Sequence, residues 1–574
     1  MSTLEKQVVP REVTLKSIPW DRIVQWGIVV LTGLLVLFPA WPILYQAFMD
    51  KPLYEQDKVA TFGNFGDILG SGEFWTSLRT TIIYAIFSTI LGVTLGTFLA
   101  IILSRTDIPC RKLFTSLVLI PFFVSPLVLA VSWNLIFGPQ GYFTIVVRNL
   151  GLPTWDLSSL PGMIVVTGMY TAPFTYLYCI SSLSLSDSSL EDAARIAGAN
   201  PFTTLWKITL PLLRPAISFS ALFTVVSVIE STSIPLILGL PAGVEVLSTY
   251  LYKLGVVGIN KDYGSVAVVS ILLIILVSGL VMLQRKLVSQ ERRFVTVGGK
   301  AGRPKLIRLG RFRWLTFALV SLYVGIGIIL PLIGVIAQSW SPFLSPMVNP
   351  LTTLTTQNYN TVLSVPAYQS SIINSLLIST FGAAIGILFM GMIAVIAYRS
   401  DFRGRKALSY LAMFPRAFPG MIIGVGFLWA FLLIPGIGGM RNTILALTFA
   451  FIVRYLPLGF SNISPAILRI SNELDRAGRV AGMNWIGVVR HILLPILGPA
   501  LLSGYMLLFI SFLKEYNVAL FLFSRGSEVM GTTMLQLTQQ GTAGPVAALA
   551  TIQLLITVVV VFIASRFLGV KFHE

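Results

Sequence analysis

Twelve apolar runs, each about long enough to cross a bilayer as a helix, divide this chain between Ile23 and Phe567. A helix needs ~20 predominantly apolar residues to span the hydrocarbon core. The first six runs are Ile23–Phe48, Thr80–Leu103, Leu113–Phe137, Pro161–Leu183, Ala216–Leu238 and Val266–Leu283. The second six are Trp314–Ala337, Ser371–Ala397, Ala407–Ile434, Thr443–Ile463, Ala500–Phe521 and Val546–Phe567. Charged residues make up 11% of the 574, whereas soluble domains carry ~25%. Such a chain cannot cover a water-facing surface, and the fold class that follows is an all-α polytopic membrane protein. The first run lacks a small-residue cleavage site after it, so it reads as a retained span and not a signal peptide.

The formal net charge is +18, which in a soluble protein would suggest nucleic acid. Position gives another explanation. Of the 41 Lys and Arg, thirty fall in the alternate segments that include both termini, and eight fall in the opposite loops. By the positive-inside rule this places both termini in the cytoplasm, and no nucleic-acid partner is needed. Two cysteines and two histidines supply neither a disulfide framework nor a His/Cys metal cage. No HExxH or Ser/His/Asp cluster is available for catalysis, and no G-x-x-x-x-G-K-[ST] loop for ATP.

The chain also repeats itself. Leu190–Ala216 reads LEDAARIAGANPFTTLWKITLPLLRPA, and Leu474–Ala500 reads LDRAGRVAGMNWIGVVRHILLPILGPA. A shift of 284 residues superposes Ala193 on Ala477, Gly198 on Gly482, Asn200 on Asn484 and Leu210-Pro211 on Leu494-Pro495. Each copy follows the fourth span of its half, so the repeat is parallel. Three segments result: a first unit over 1–284, a basic linker over 285–313 without apolar period, and a second unit over 314–574.

The repeated loop predicts a short helix ended by Gly198, then an Asn200-Pro201 turn into a second short helix before Pro211. An amphipathic loop lying on the protein's own spans is one reading of a single copy. Two copies on one face argue for a two-fold partner outside the membrane.

Here the sequence resembles the binding-protein-dependent ABC importer permeases, whose signature is EAA, three residues, Gly, nine residues, then Ile-x-Leu-Pro. Asp192-Ala193-Ala194, Gly198 and Ile208-Thr209-Leu210-Pro211 match it in the first half, with Asp in place of Glu. In the second half Gly482 and Ile492-Leu493-Leu494-Pro495 match, but Arg476-Ala477-Gly478 stands where EAA would be. The resemblance implies two tandem six-helix units in a bacterial inner membrane. It also implies that the loops couple to two copies of a separate ABC ATPase, which would carry ATP and Mg, so that this chain is not itself an enzyme. A periplasmic or lipid-anchored binding protein would deliver the solute. Within the family, Ile229-Glu230-Ser231 through Val246-Leu247-Ser248 and Lys514-Glu515-Tyr516 through Glu528-Val529 resemble the ferric-iron uptake type. Thiamine, polyamine and aminophosphonate permeases share much of that pattern. A twelve-span ion-coupled secondary transporter is the rival without an ATPase.

Charges inside spans are costly and tend to face a cavity. The 284-residue shift lays Lys514 on Glu230, with Glu515 beside it, so opposite charges could pair across the centre. Glu230, Lys514, Glu515 and Arg416 are the candidate translocation residues; a structural ion pair, or a mouth position wet on the periplasmic side, is the other reading of the first three. Arg416 lies between Pro415 and Pro419, and Arg454 is mid-span. Either arginine could satisfy carbonyls freed by proline.

Overall fold

The computed structural model describes residues 20–185, 193–194, 196–257, 261–291, 306–349, 352–434 and 436–567. Among these, helices are joined by turns and loops, with only two isolated β-bridges. Ten helices are long and apolar enough to cross a membrane: α1 (Trp20–Ala47), α2 (Gly72–Arg105), α3 (Leu160–Ser184), α4 (Phe202–Ile229), α5 (Tyr263–Gln284), α6 (Phe312–Ser339), α7 (Pro366–Arg399), α8 (Ile444–Arg469), α9 (Trp485–Leu513) and α10 (Ala543–Ala564). The first five recur in the same order as the second five.

The third and ninth apolar runs are not straight spans. Each breaks by 108°, between Arg111–Phe123 and Pro126–Asn149 and between Arg405–Ala417 and Gly420–Leu433. Proline lacks an N–H and drives the residue before it out of the α region. Accordingly Ser125, ahead of Pro126, has ψ 137° and Phe418, ahead of Pro419, has ψ 117°. A third bent pair, Pro235–Ala242 with Leu247–Val257, turns through 81°; the hydropathy pattern does not announce it.

The fifth and eleventh spans also differ from expectation. They begin at Phe202 and Trp485 and end at Ile229 and Leu513, not at Ala216–Leu238 and Ala500–Phe521. The second helix of each repeated loop does not stop before its proline. It continues into the span through a π turn, Leu205–Thr209 or Val489–Leu493. The wider turn accommodates a proline ring that would otherwise collide with a carbonyl one turn back. Two further π turns, Pro235–Gly239 and Gly325–Ile329, likewise run directly into Leu-Pro.

Small residues let the backbones meet. A Cβ on Gly92 would lie 2.4 Å from Thr171 Oγ1, and one on Gly96 would lie 2.4 Å from the Ala172 carbonyl oxygen. This GxxxG face of α2 is what closely packed membrane helices need. We expect Gly96→Val to force α2 and α3 apart at a cost of about 1–3 kcal/mol. Thermal unfolding in detergent should show a lower midpoint, and an unchanged midpoint would refute the close approach.

The first helix of each half lies partly on the other half. On α1, Trp26 meets Phe402 edge-on at 4.9 Å and Phe38 meets Phe427 at 5.8 Å. In return, Tyr323 Oη of α6 donates to the Met169 carbonyl of α3 at 3.0 Å, and Phe317 packs on Phe114 at 5.5 Å. At the joint between the units, the helix that includes α5 runs on to Glu291. Further along, Ile307 pairs with Thr106 in a parallel bridge, and Leu309 N–H donates to Asp107 Oδ1 at 3.0 Å. The end of the linker is therefore fastened to the end of α2.

Candidate functional site

Two features carry the functional argument: the repeated loops, and the charges where α4 and α9 end.

In the second loop, Ser471 caps the helix Asn472–Val480 by accepting from Glu473 N–H at 3.2 Å. The helix stops at Gly482, whose φ of +84° lies in the left-handed region that favours glycine. Asn484 then caps the next helix, accepting from Gly487 N–H at 2.8 Å. The first loop repeats this plan, with Gly198 at φ +83° and Asn200 accepting from Thr203 N–H at 2.7 Å. The closing amides also correspond: Ala199 N–H bonds the Ala194 carbonyl at 2.9 Å and Met483 N–H bonds the Gly478 carbonyl at 3.0 Å. The left-handed conformation is itself a sufficient reason for each glycine, since nothing lies within 4 Å of where either Cβ would stand.

Ala193, Ala194, Leu210 and Pro211, like Ala477, Leu494 and Pro495, fall on these two matched elbows. Asp192 lies outside the described residues. Just before each glycine an aliphatic side chain points away from the protein: Ile196 is 88% exposed and Val480 is 89% exposed. Behind the second elbow, by contrast, Trp485 and Val488 are buried.

At the other end of α4 and α9, the expected pairing of Glu230 with Lys514 does not occur. Glu230 terminates α4 and takes a 2.6 Å ion pair from Arg454 of α8. The second nitrogen of the Arg454 fork donates to the Phe418 carbonyl at 2.8 Å. Lys514 instead crosses to the first half and donates to the Phe122 carbonyl at 2.6 Å. Glu515 accepts from Tyr455 Oη at 2.6 Å and from Val518 N–H at 3.2 Å. The two carbonyls involved belong to the two proline-broken spans. The physical reason for the correction is therefore local: the breaks expose carbonyls that outcompete a direct Glu–Lys pair for the lysine. Arg454, which sequence reasoning left with a proline-satisfying role, fills that role and holds Glu230 as well. Arg416 sits 5.6 Å from the Phe223 ring and belongs to the same region. Further bonds tie the halves here, including Tyr516 Oη to Ser233 Oγ at 2.8 Å.

The segments read as resembling the ferric-iron type follow these charges in each half. Val246 N–H bonds Thr249 Oγ1 at 2.9 Å, and Val529 N–H bonds Thr532 Oγ1 at 3.1 Å. Each starts a short helix, at Leu247 and at Met530. The next amide bonds Thr81 or Ser375 on the second helix of its half, at 2.8 and 2.9 Å. Among the described residues, no three His, Cys, Asp or Glu side chains gather to hold a metal ion.

Comparison with known proteins agrees with this duplicated plan. The family model for the binding-protein-dependent transport system inner membrane component matches twice, over residues 92–293 and 382–569. A ferric transport system permease protein of Actinobacillus pleuropneumoniae is 25% identical over 557 residues, covering 95% of this chain and 77% of that protein. A sulfate transport system permease protein of Synechocystis is 30% identical over 196 residues, covering 33% of this chain and 65% of that protein. A crystal structure of a bacterial ABC transporter involved in alginate import matches with 19% identity and a TM-score of 0.40, covering 48% of this chain and 96% of that one. Two family matches that together span most of its length establish that the chain belongs to the binding-protein-dependent transport system inner membrane components, as a permease with two copies of the domain.

Proposed function

We propose that this chain is the complete membrane pathway of an ATP-driven importer of ferric iron, with both termini and both repeated loops in the cytoplasm. The duplicated elbow carries the reading. Two loops with the same left-handed glycine, the same asparagine cap and the same exposed aliphatic residue present one docking surface twice. Leaving Ile196 and Val480 in water forgoes about 1.5–3 kcal/mol each relative to burial, which a pair of identical ATPase subunits would recover. ATP and Mg belong on those subunits. The cation asymmetry supports the orientation, and the relative named for ferric transport supports the cargo. A binding protein would hand over the ion on the face opposite the loops. Glu230, Arg416, Lys514 and Glu515 would line or close the passage between the halves.

The deciding experiment is uptake of labelled ferric iron by cells lacking and then regaining this chain, with labelled thiamine and an aminophosphonate beside it. Iron uptake should return with the chain and disappear on ATP depletion. Restoration of another solute instead would remove the iron assignment. Uptake that follows an ion gradient without ATP would remove the importer reading.

A further inference from the structure

Arg399 and Arg105 entered the sequence argument only as members of the cytoplasmic cation count, yet the structure buries both, at 8% and 2% exposure. Arg399 is the last residue of α7. One of its terminal nitrogens donates to the Ile467 carbonyl at 2.7 Å and to the Ile470 carbonyl, at the end of α8. The other donates to Asn472 Oδ1 and, at 3.4 Å, to Asp475 Oδ2, both on the helix before the elbow. Its own carbonyl accepts from Trp485 Nε1 at 3.1 Å, on the far side of Gly482. One residue thus touches two spans and both arms of the loop.

The first half repeats the placement. Arg105 ends α2 and donates at 3.3 Å to the carbonyl of Leu183, which stands 284 residues before Ile467. Both arginines are followed by a hydroxyl residue that bonds the carbonyl four residues back: Thr106 to Ile102 and Ser400 to Ile396, each at 2.7 Å. A guanidinium offers five N–H donors in a rigid fork. Buried, it demands acceptors. The loop therefore cannot shift away from α7 without leaving buried donors unmade, whereas a shift that carries α7 and α8 along keeps every bond.

We propose that Arg399 is a positioning residue that hands movement of the second loop to the membrane helices. The proposal rests on the reading of the loops as ATPase contacts, and its test separates the two. The first readout uses the full chain alone in detergent. Ala481, Gly482 and Met483 N–H close the loop helix on the Ala477, Arg479 and Gly478 carbonyls. In Arg399→Lys, which keeps the charge but loses the fork, their hydrogen exchange should accelerate at least tenfold, with amides beyond Leu497 unchanged. Unaltered exchange at the loop overturns the proposal.

The second readout uses membranes carrying the chain with its ATPase and binding protein. Arg399→Lys should retain the ATPase and its hydrolysis while uptake of labelled ferric iron falls tenfold, raising the ATP spent per ion tenfold. Hydrolysis and uptake falling in proportion overturns the transmission role. Asn472→Ala removes one of the two side-chain acceptors that the loop offers Arg399, leaving Asp475, and is read in the same way should the lysine variant fail to insert. Absence of iron uptake by the wild-type chain would defeat the importer reading, while the exchange measurement would still decide the part played by Arg399.

Discussion

Arg454→Gln should reduce solute uptake below a tenth of the wild-type rate and lower the thermal midpoint of the purified chain by several degrees. Its fork holds the Glu230 carboxylate of one half and the Phe418 carbonyl of the other, and glutamine cannot reach both. Removing one partner of a fully buried ion pair costs about 3–5 kcal/mol, because the remaining charge is left without compensation; this pair is partly buried, with side chains 21% and 12% exposed, so that figure is its upper bound. Here the stranded group is Glu230, beside the break that ends α4. The double variant Glu230→Gln/Arg454→Gln removes that stranded charge and should regain more than half of the lost stability, though not transport. Wild-type stability and uptake in the single variant would show that the pair does not join the halves. Glu230→Gln and Glu515→Gln should each abolish uptake at normal expression if these carboxylates line the passage.

Gly198→Arg combined with Gly482→Arg should leave the chain inserted and folded but unable to retain its ATPase during purification. At φ +83° and +84° a residue with a Cβ is strained by about 1–2 kcal/mol. Arginine also places a long cation beside Ile196 and Val480, where nothing now lies within 4 Å of the glycine Cβ positions. Because that space is open, the substitutions disturb the loop surface without disturbing the core. Co-purification at the wild-type level would count decisively against the loops as the docking surface. Each single variant should lose about half of the bound ATPase if the two loops contribute equally.

The spans were legible because bilayer crossing requires a long apolar run, and the duplication was legible because the loop motif is repeated with fixed spacing. What escaped was geometry that hydropathy does not encode. Ile120 to Val131 and Ala417 to Trp429 are almost wholly apolar whether straight or bent, and only the paired prolines at 121 and 126, and at 415 and 419, marked the breaks. The same blindness displaced the start of α4, since Leu-Pro reads as a stop when a π turn can carry the helix past it. In the centre, a single repeat shift paired Glu230 with Lys514, but side chains choose partners in three dimensions. The freed carbonyls of Phe122 and Phe418 decided the arrangement. Arg105 and Arg399 match as span ends, Arg-Thr-Asp at 105–107 and Arg-Ser-Asp at 399–401, but they stand 294 residues apart and so fall off the 284-residue shift. Counting them as topology cations concealed the recurrence.

The crossed placement of the first helices bears on how the chain is made. Phe38 finds its partner in Phe427, so this face of α1 has no neighbour until nearly four hundred more residues have been synthesised, although the Ala40–Ala47 end packs on α5 of its own half. At ~5–20 residues per second, that interval lasts roughly 20–80 s. During it the exposed face of α1 must be tolerated by lipid or by the insertion machinery. Burial of that face is therefore tied to the arrival of the second half, and a chain truncated after Glu291 would be released with Trp26 and Phe38 lacking their partners Phe402 and Phe427.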